Sequence, residues 1–506
     1  MEADNKNKSI NIIGAGFAGM AAGIYAQLNG YKTSIYEMHS QPGGLCTSWN
    51  RKGYTFDGCI HWLVGSSRSS GMHDMWEETG IAQNINITDH EEYMRLEDSK
   101  GRTLIFYTDV ERLEKHLLEF SPSDEKPIRE LIDGVRMCIP FDTPSKHDSF
   151  FSRTGKQIKI GLNFAKNGSK MQKWMKITCR EFSERFKDPL IKLAINEMWI
   201  PDFSIFFMLF TLAYLHNKNA GYPRGGSMPM SRAMEARYKE LGGEIHYKKK
   251  VTKILTENNR ATGITFDDGT IVHSEIVISA ADGYSTLFKM LDGKFGDAKT
   301  REPYEKWPLF PSLIYVSLGI NRRFDDIPWS VSGLTFILKE PAEIGDRIRD
   351  NLSVHIYNHD DSLAPVGKTA ITIMMGTDYE YWKKLAEDRT VYLRKKEEVG
   401  NTVIDVLEQR FPGIRSQVEV IDVATPLTFE RYTGNWKGCF EGWLITPENS
   451  YTLMKPMSQS IPGLENFYMC GQWVEPGGGL PTAVMSGKRL VKRLCREEGK
   501  RFSSGS

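Results

Sequence analysis

An α/β architecture, with one domain assembled from separated stretches of chain and a second, α+β domain inserted into it, is what this 506-residue sequence predicts. Three observations carry that prediction. A strand–glycine turn–helix–strand unit opens the chain, a second glycine-rich turn before a helix closes it, and the α/β character between them is interrupted twice. The layout assigns residues 1–80, 216–300 and 441–506 to the first domain, and 81–215 and 301–440 to the inserted, substrate-facing one.

The opening unit spans residues 10–37. Ile10, Ile12 and Ile13 form an apolar strand leading into Gly14-Ala15-Gly16-Phe17-Ala18-Gly19. A helix-compatible stretch, 20–28, stops at Gly30, and a second strand, 33–36, delivers Glu37. Gly14 permits the tight turn, Gly16 lets backbone approach a pyrophosphate, and Gly19 lets helix and strand pack closely. The helix N-terminus offers unpaired N–H groups and a positive dipole end. Glu37, 21 residues past Gly16, sits where a carboxylate binds both ribose hydroxyls and repels a 2′-phosphate, so NADP is disfavoured. With every part of the fingerprint present, the unit reads as Rossmann-like and predicts a bound dinucleotide.

Composition sets bounds. With 65 basic and 64 acidic residues the net charge is +1, which gives no signature for nucleic acid or an acidic partner. The N-terminal residues carry no apolar h-region, which predicts no signal peptide. Seven cysteines without a CxxC pair read as reduced thiols in a cytoplasmic protein, and no metal-ligand spacing appears. The longest apolar run, 203–215, falls short of the about 20 residues a spanning helix needs.

The middle of the chain alternates in character. Residues 81–215 are rich in lysines, aromatics and amphipathic helices, with few strand signals. Residues 164–187 are a basic amphipathic candidate that, with the 203–215 run, either docks on an anionic membrane surface or forms a solvated face over a core helix. From 221 the α/β pattern returns: a loop, a helix over 228–241 stopped by Gly242-Gly243, and strands at 244–247, 250–256, 261–266 and 271–279, the last two joined by an Asp267-Asp268-Gly269 turn. Residues 310–440 hold strands such as 312–320 and 370–375 and one long polar helix near 379–410. A strand at 467–470, a glycine-rich turn and a helix over 482–495 complete the chain.

Three further groups carry chemistry. Gly43-Gly44-Leu45 lets a loop fold back over a pyrophosphate. Tyr54-Thr-Phe-Asp57-Gly58-Cys59-Ile60-His61-Trp62 places apolar, aromatic and imidazole groups just after it. Gly471-Gln472-Trp473, followed by Gly477-Gly478-Gly479-Leu480-Pro481, makes a second anion-ready helix N-terminus. FAD is long and has two ends to hold, which explains two phosphate-competent turns at opposite ends of the chain; NAD needs only the first. His61 is either a proton donor or acceptor beside the flavin or a shaper of its pocket. Cys46 and Cys59 lack the paired spacing of a disulfide reductase and read as inert thiols. No second GxGxxG is present, so the electron partner is oxygen, a quinone or transient NAD(P)H.

Taken together, these motifs resemble the FAD-dependent phytoene desaturase, carotenoid isomerase and retinol saturase family, within the wider amine-oxidase-like flavoprotein superfamily. The resemblance also rests on Phe56 to Trp62, similar to the saturase pattern FDxGIHY, on Tyr222-Pro-Arg-Gly-Gly-Ser-Met228, and on Thr425-Pro426 through Gly434. It implies that Gly14, Ala15, Gly16, Ala18 and Gly19 hold the pyrophosphate, that Glu37 with Met38 holds the adenosine ribose, and that Gly43, Gly44 and Leu45 line the phosphate loop. By the same resemblance Val251 holds the adenine with Ala280 nearby, and Ile60 and His61 approach the flavin ring. Gly471, Gln472, Gly479, Leu480 and Pro481 meet the ribitol and pyrimidine end. Gln472 departs from the Asp common at its position. The implied activity is oxidoreduction at C–C double bonds of a hydrophobic isoprenoid or polyene. The rivals are an amine-oxidising flavoenzyme with an aromatic cage, to which Trp443 or Trp473 would contribute, and a prenyl-binding escort protein.

Overall fold

A computed structural model describes residues 8–453 and 455–505. Residues 1–7, on which most of the signal-peptide expectation rests, lie outside them. The first layer is a five-stranded parallel sheet in the spatial order Glu244–Tyr247, Lys32–Glu37, Ser9–Ile13, Ile276–Ser279, Phe467–Met469. Because every strand pair is parallel, all C-terminal ends lie along one edge. Gly14, Glu37, Ala280 and Gly471 lie at or within two residues of those ends, so residues far apart in sequence share one crevice, the usual ligand edge of such sheets. The central strands are apolar and buried on both faces, as a covered parallel sheet requires.

Helix Phe17–Leu28 crosses one face of this sheet and packs against helix Leu480–Glu497. Gly487 permits that crossing, since a Cβ there would stand 2.7 Å from the Ala18 carbonyl oxygen and the Ala22 nitrogen. Helix Ser227–Glu240 packs on the other side of Phe17–Leu28, where the Tyr238 hydroxyl donates to the Thr33 carbonyl.

A seven-stranded sheet forms the second layer, in the order Val418–Ala424, Ser312–Ile320, Thr369–Thr377, Arg347–Ile356, Leu334–Ile344, Glu92–Glu97, Thr103–Tyr107. It is antiparallel except where Leu334–Ile344 meets Glu92–Glu97. The pair Glu92–Glu97 and Thr103–Tyr107 is the strand content that residues 81–215 hardly advertise. Helices Val110–Phe120, Glu125–Cys138, Phe150–Met175, Pro189–Met198 and Phe206–His216 share a separate apolar core.

The boundaries of four expected elements differ for physical reasons. The run 271–279 is two strands, Ile271–His273 in an antiparallel three-stranded sheet and Ile276–Ser279 in the parallel one; the Glu275 carboxylate between them accepts from the Ser9 amide. The polar stretch 379–410 is two helices, because the Asp388 side chain caps Arg389–Arg410 through the Thr390 and Val391 amides. Residues 164–187 are not one amphipathic helix: Phe150–Met175 ends first, and a Thr178–Glu181 capping box starts Cys179–Ser183. The 203–215 run becomes Phe206–His216, whose Met208, Leu209 and Leu212 enter the core while Phe206, Phe210 and Tyr214 line an internal cavity, so it presents no outward docking face. Among the described residues, no helix is long and apolar enough to cross a membrane.

Candidate cofactor and substrate site

The crevice at the C-terminal edge of the parallel sheet opens into a cavity of about 1740 Å³. That exceeds the roughly 300–1,000 Å³ of an ordinary small-molecule pocket. One part of its wall is the glycine-rich backbone around Gly16, Gly43 and Gly479. Another is apolar and aromatic, from Phe141, Phe164, Met171, Phe206 and Phe210.

Three features of the polar part fit a dinucleotide. Helices Phe17–Leu28 and Leu480–Glu497 begin at Gly16 and Gly479, neither with a side-chain cap, so both first turns keep N–H donors for phosphate. Gly16 and Gly43 pair as a parallel bridge, with the Gly43 amide donating to the Ala15 carbonyl at 2.9 Å. A Cβ on Gly43, whose φ is +112°, would lie 2.2 Å from the Cys46 carbonyl oxygen. This part of the cavity wall is therefore bare backbone by necessity. Finally, Glu37 is held by the Ala15 amide on Oε2 and the His39 amide on Oε1, both at 2.8 Å. Each oxygen keeps a second lone pair for a ribose hydroxyl.

All the site residues expected from sequence line this cavity except two. Gly14, Gly16, Ala18, Glu37, Met38, Gly43, Gly44, Leu45, Ile60, His61, Val251, Ala280, Gly471, Gln472, Gly479, Leu480 and Pro481 are brought together. Ala15 and Gly19 are not cavity residues. Ala15 is fully buried with its amide committed to Glu37. Gly19 lies at the helix–strand contact, where a Cβ would stand 2.0 Å from the Gly14 carbonyl oxygen. Both hold the turn from behind. Gln472 points its amide at Asn435 Oδ1, 2.9 Å away. The two tryptophans considered for an aromatic cage separate: Trp473 reaches the cavity, whereas Trp443 is fully buried in a core cluster, its Nε1 donating to the Trp473 carbonyl.

The His61 loop owes its shape to Asp57. The buried Asp57 carboxylate accepts from the amides of Cys59 and Ile60, both at 2.9 Å, and from the amide and hydroxyl of Ser227. Burial raises its pKa, and the four hydrogen bonds oppose that rise. A Cβ on Gly226, φ +74°, would lie 2.1 Å from Asp57 Oδ2, which explains the glycine before Ser227. The two motifs, residues 56–62 and 222–228, are thus halves of one anchor. Burial also lowers the His61 pKa to about 4, so the ring is neutral near pH 7. All seven cysteines are free. The Cys59 thiol is pushed well up by its Cys46 neighbour and by burial, which leaves no reactive thiolate.

Sequence reasoning missed Glu441. Its carboxyl lines the cavity, accepts from the Gly479 amide at 3.1 Å, and is raised by burial to about 8. A Cβ on Gly478 would meet it at 1.7 Å. Only the run of positive-φ glycines after Gly477 signals such a close neighbour.

A parallel α/β sheet with two uncapped helix N-termini and a carboxylate with free lone pairs on one edge defines a dinucleotide-binding protein of the flavoprotein type. The chain belongs to the flavin-containing amine oxidoreductase family, whose profile matches residues 17–495, and its cofactor is FAD. It is 22% identical to a lycopene-forming phytoene desaturase of Pseudescherichia vulneris, covering 97% of this chain and 99% of that protein. It is also 22% identical to a chloroplastic prolycopene isomerase of Daucus carota, covering 96% and 80%. Among solved structures, an oxidoreductase from Methanosarcina mazei superposes with a TM-score of 0.60 at 17% identity over 96% of this chain and all of that one. Putrescine oxidase bound to putrescine gives 0.60 at 12% identity over 97% and 99%. These likenesses establish the shared fold.

Proposed function

We propose that this chain is an FAD-dependent oxidoreductase that desaturates, saturates or isomerises C–C double bonds of a hydrophobic isoprenoid or polyene. One observation carries the reading: a single cavity joins the dinucleotide cradle to an aromatic, apolar wall. The phytoene desaturase and prolycopene isomerase relatives, matched over nearly the whole chain, support the substrate class. The cofactor domain comprises residues 1–80, 216–300 and 441–506, and the substrate domain 81–215 and 301–440.

Bound FAD supplies hydride exchange with a substrate carbon. The protein supplies the rest. Gly14, Gly16 and Gly43 bring backbone against the pyrophosphate, Glu37 holds the ribose, and Leu480 and Pro481 meet the other end. The wall from Phe141 to Phe210 binds the chain of the substrate and excludes water. His61, neutral and held by the Asp57 anchor, exchanges the accompanying proton at an imidazole nitrogen. Oxygen, a quinone or transient NAD(P)H restores the flavin. The burial of Trp443 removes one of the two tryptophans considered for the amine-oxidising rival's cage.

Helix Phe150–Met175 supports a location at an anionic membrane surface. Residues 150–176 contain seven basic and no acidic side chains. Phe151, Ile158 and Leu162 lie along one exposed stripe, with Lys159, Lys166 and Lys170 beside it. Phe164 and Met171 of the same helix line the cavity, so this helix connects an anionic bilayer to the substrate wall. The test supplies the FAD-loaded protein with phytoene or prolycopene in vesicles, a quinone as acceptor, and chromatography of the products. Conversion of either polyene supports the reading; conversion of putrescine alone overturns it.

A further inference from the structure

Beside the cavity, away from the cofactor cradle, lies a second cavity of about 10 Å³, the size that holds roughly one water molecule. Four histidines surround it: His61, His90, His355 and His359. His355 lies on strand Arg347–Ile356 and His359 four residues on, in the turn that follows it, with Tyr357 between them; all three line the small cavity. The His61 and His355 rings are 4.4 Å apart, and His359 lies 4.9 Å from His90 and 4.7 Å from Tyr222. His61 Nε2, His90 Nδ1, His355 Nδ1 and both nitrogens of His359 are buried without a hydrogen-bond partner. Five orphaned nitrogens in one place are costly unless something polar joins them.

Two sides of this cluster differ. His61 and His355 also line the large cavity, whereas His359 sits under Trp329, which is 46% exposed. Next to His359, the buried Asp360 accepts from the Tyr222 hydroxyl, Ser362 and the Gly225 amide, and Arg224 pairs with Asp361 at the surface. From strand Glu92–Glu97, two places along the sheet, Glu92 accepts from Ser330 and Arg95. Near His61 the charged group is Asp57, bonded to the Cys59 and Ile60 amides. Burial keeps the four imidazoles neutral, the form that both accepts and donates a proton. The sets close enough to share a metal ion among the described residues, Asp74 with Glu77 and His147 and Asp109 with Glu111 and His216, lie elsewhere.

We propose that His355 and His359, bridged by one water in the small cavity, form a proton relay between His61 and solvent. It rests on the function proposed above. In desaturation the substrate loses a hydride from one carbon to the flavin and a proton from its neighbour, and the electrons of that second C–H bond become the new π bond. The proton goes to His61, passes to His355 and through the water to His359, and leaves at the Trp329 side. Saturation runs the same path inward. His355 and His359 act through His61 and are positioning residues, not catalytic ones.

The test uses FAD-loaded protein with ¹⁵N-labelled histidine, and phytoene in vesicles as the kinetic probe. His359→Gln interrupts the relay. Val331→Ile fills the small cavity and leaves every imidazole in place, and it carries the test should the first variant not fold. The relay predicts that each variant changes the His61 ring ¹⁵N signals and slows anaerobic flavin reduction roughly tenfold or more. It also predicts an altered solvent deuterium effect and partial rescue of His359→Gln by added imidazole. Variants with unaltered His61 signals and unaltered flavin reduction overturn it. Failure of phytoene to reduce the wild-type flavin sinks the function reading instead, and the His61 signals then decide the relay alone.

Discussion

Replacing Asp57 tests how the His61 loop is held. In Asp57→Asn the retained oxygen keeps the Cys59 and Ile60 amides, but the new NH₂ faces the Ser227 amide, donor against donor. Ser227 is fully buried, so its stranded N–H costs about 1–3 kcal/mol. The surviving bonds also lose their charge assistance, and relief of a buried carboxylate offsets part of that loss. The net is about 2–4 kcal/mol. Asp57→Ala removes the shared acceptor, leaving the Ile60 amide only its Ser227 Oγ contact at 3.1 Å and stranding the other donors, and costs more, about 4 kcal/mol or above. Urea unfolding of the FAD-loaded protein reads the stability, and fluorescence titration reads FAD affinity. Both should fall in the order wild type, Asn, Ala. An Asn variant within 0.5 kcal/mol of wild type (roughly the spread of a neutral surface change), with unchanged FAD binding, refutes the anchor.

Other consequences are as specific. Gly487→Leu forces helices Phe17–Leu28 and Leu480–Glu497 apart, because even a Cβ would lie 2.7 Å from the Ala18 carbonyl oxygen; the purified protein should lose its flavin absorbance. Glu441 has a folded pKa raised from 4.5 to about 8, so its proton binding favours the folded state below pH 4.5, and that contribution is lost as pH rises to about 8. Glu441→Gln should therefore gain stability relative to wild type between pH 5 and 9 in urea melts; parallel curves would contradict the burial. Reversing Lys159, Lys166 and Lys170 to Glu should weaken sedimentation with anionic vesicles by about 1 kcal/mol or more per residue, while leaving FAD content intact.

What the sequence made legible was local. The turn at Gly14 and Gly16, the carboxylate at Glu37 and the glycines at 477–479 are constrained by backbone conformation within a few residues, so their spacing reveals them. Their convergence on one edge follows from parallel strand pairing, which the sequence motifs at both ends already implied. The Asp57–Ser227 anchor was harder: both motifs were visible, but the hydrogen bonds that join them span 170 residues. Glu441 and the His355–His359 pair left no local signature, because their significance comes from what tertiary packing places against them. Hydrophobic pattern alone also left one choice open. The 203–215 run is compatible with a membrane-docking surface or with the core side of a helix, and a helix between a core and a cavity needs apolar residues all round. The exposed apolar stripe lies instead on Phe150–Met175, where glycines and lysines dilute the pattern.

The most direct measurement of the central claim is the visible spectrum of the anaerobic, FAD-loaded protein on addition of vesicle-borne polyene. Desaturation of phytoene should bleach the oxidised flavin band as the polyene absorbance grows; for isomerisation, prereduced flavin should instead convert prolycopene without net change in its redox state. A flavin that responds to no polyene in either redox state, yet is bleached by an amine, would contradict the account.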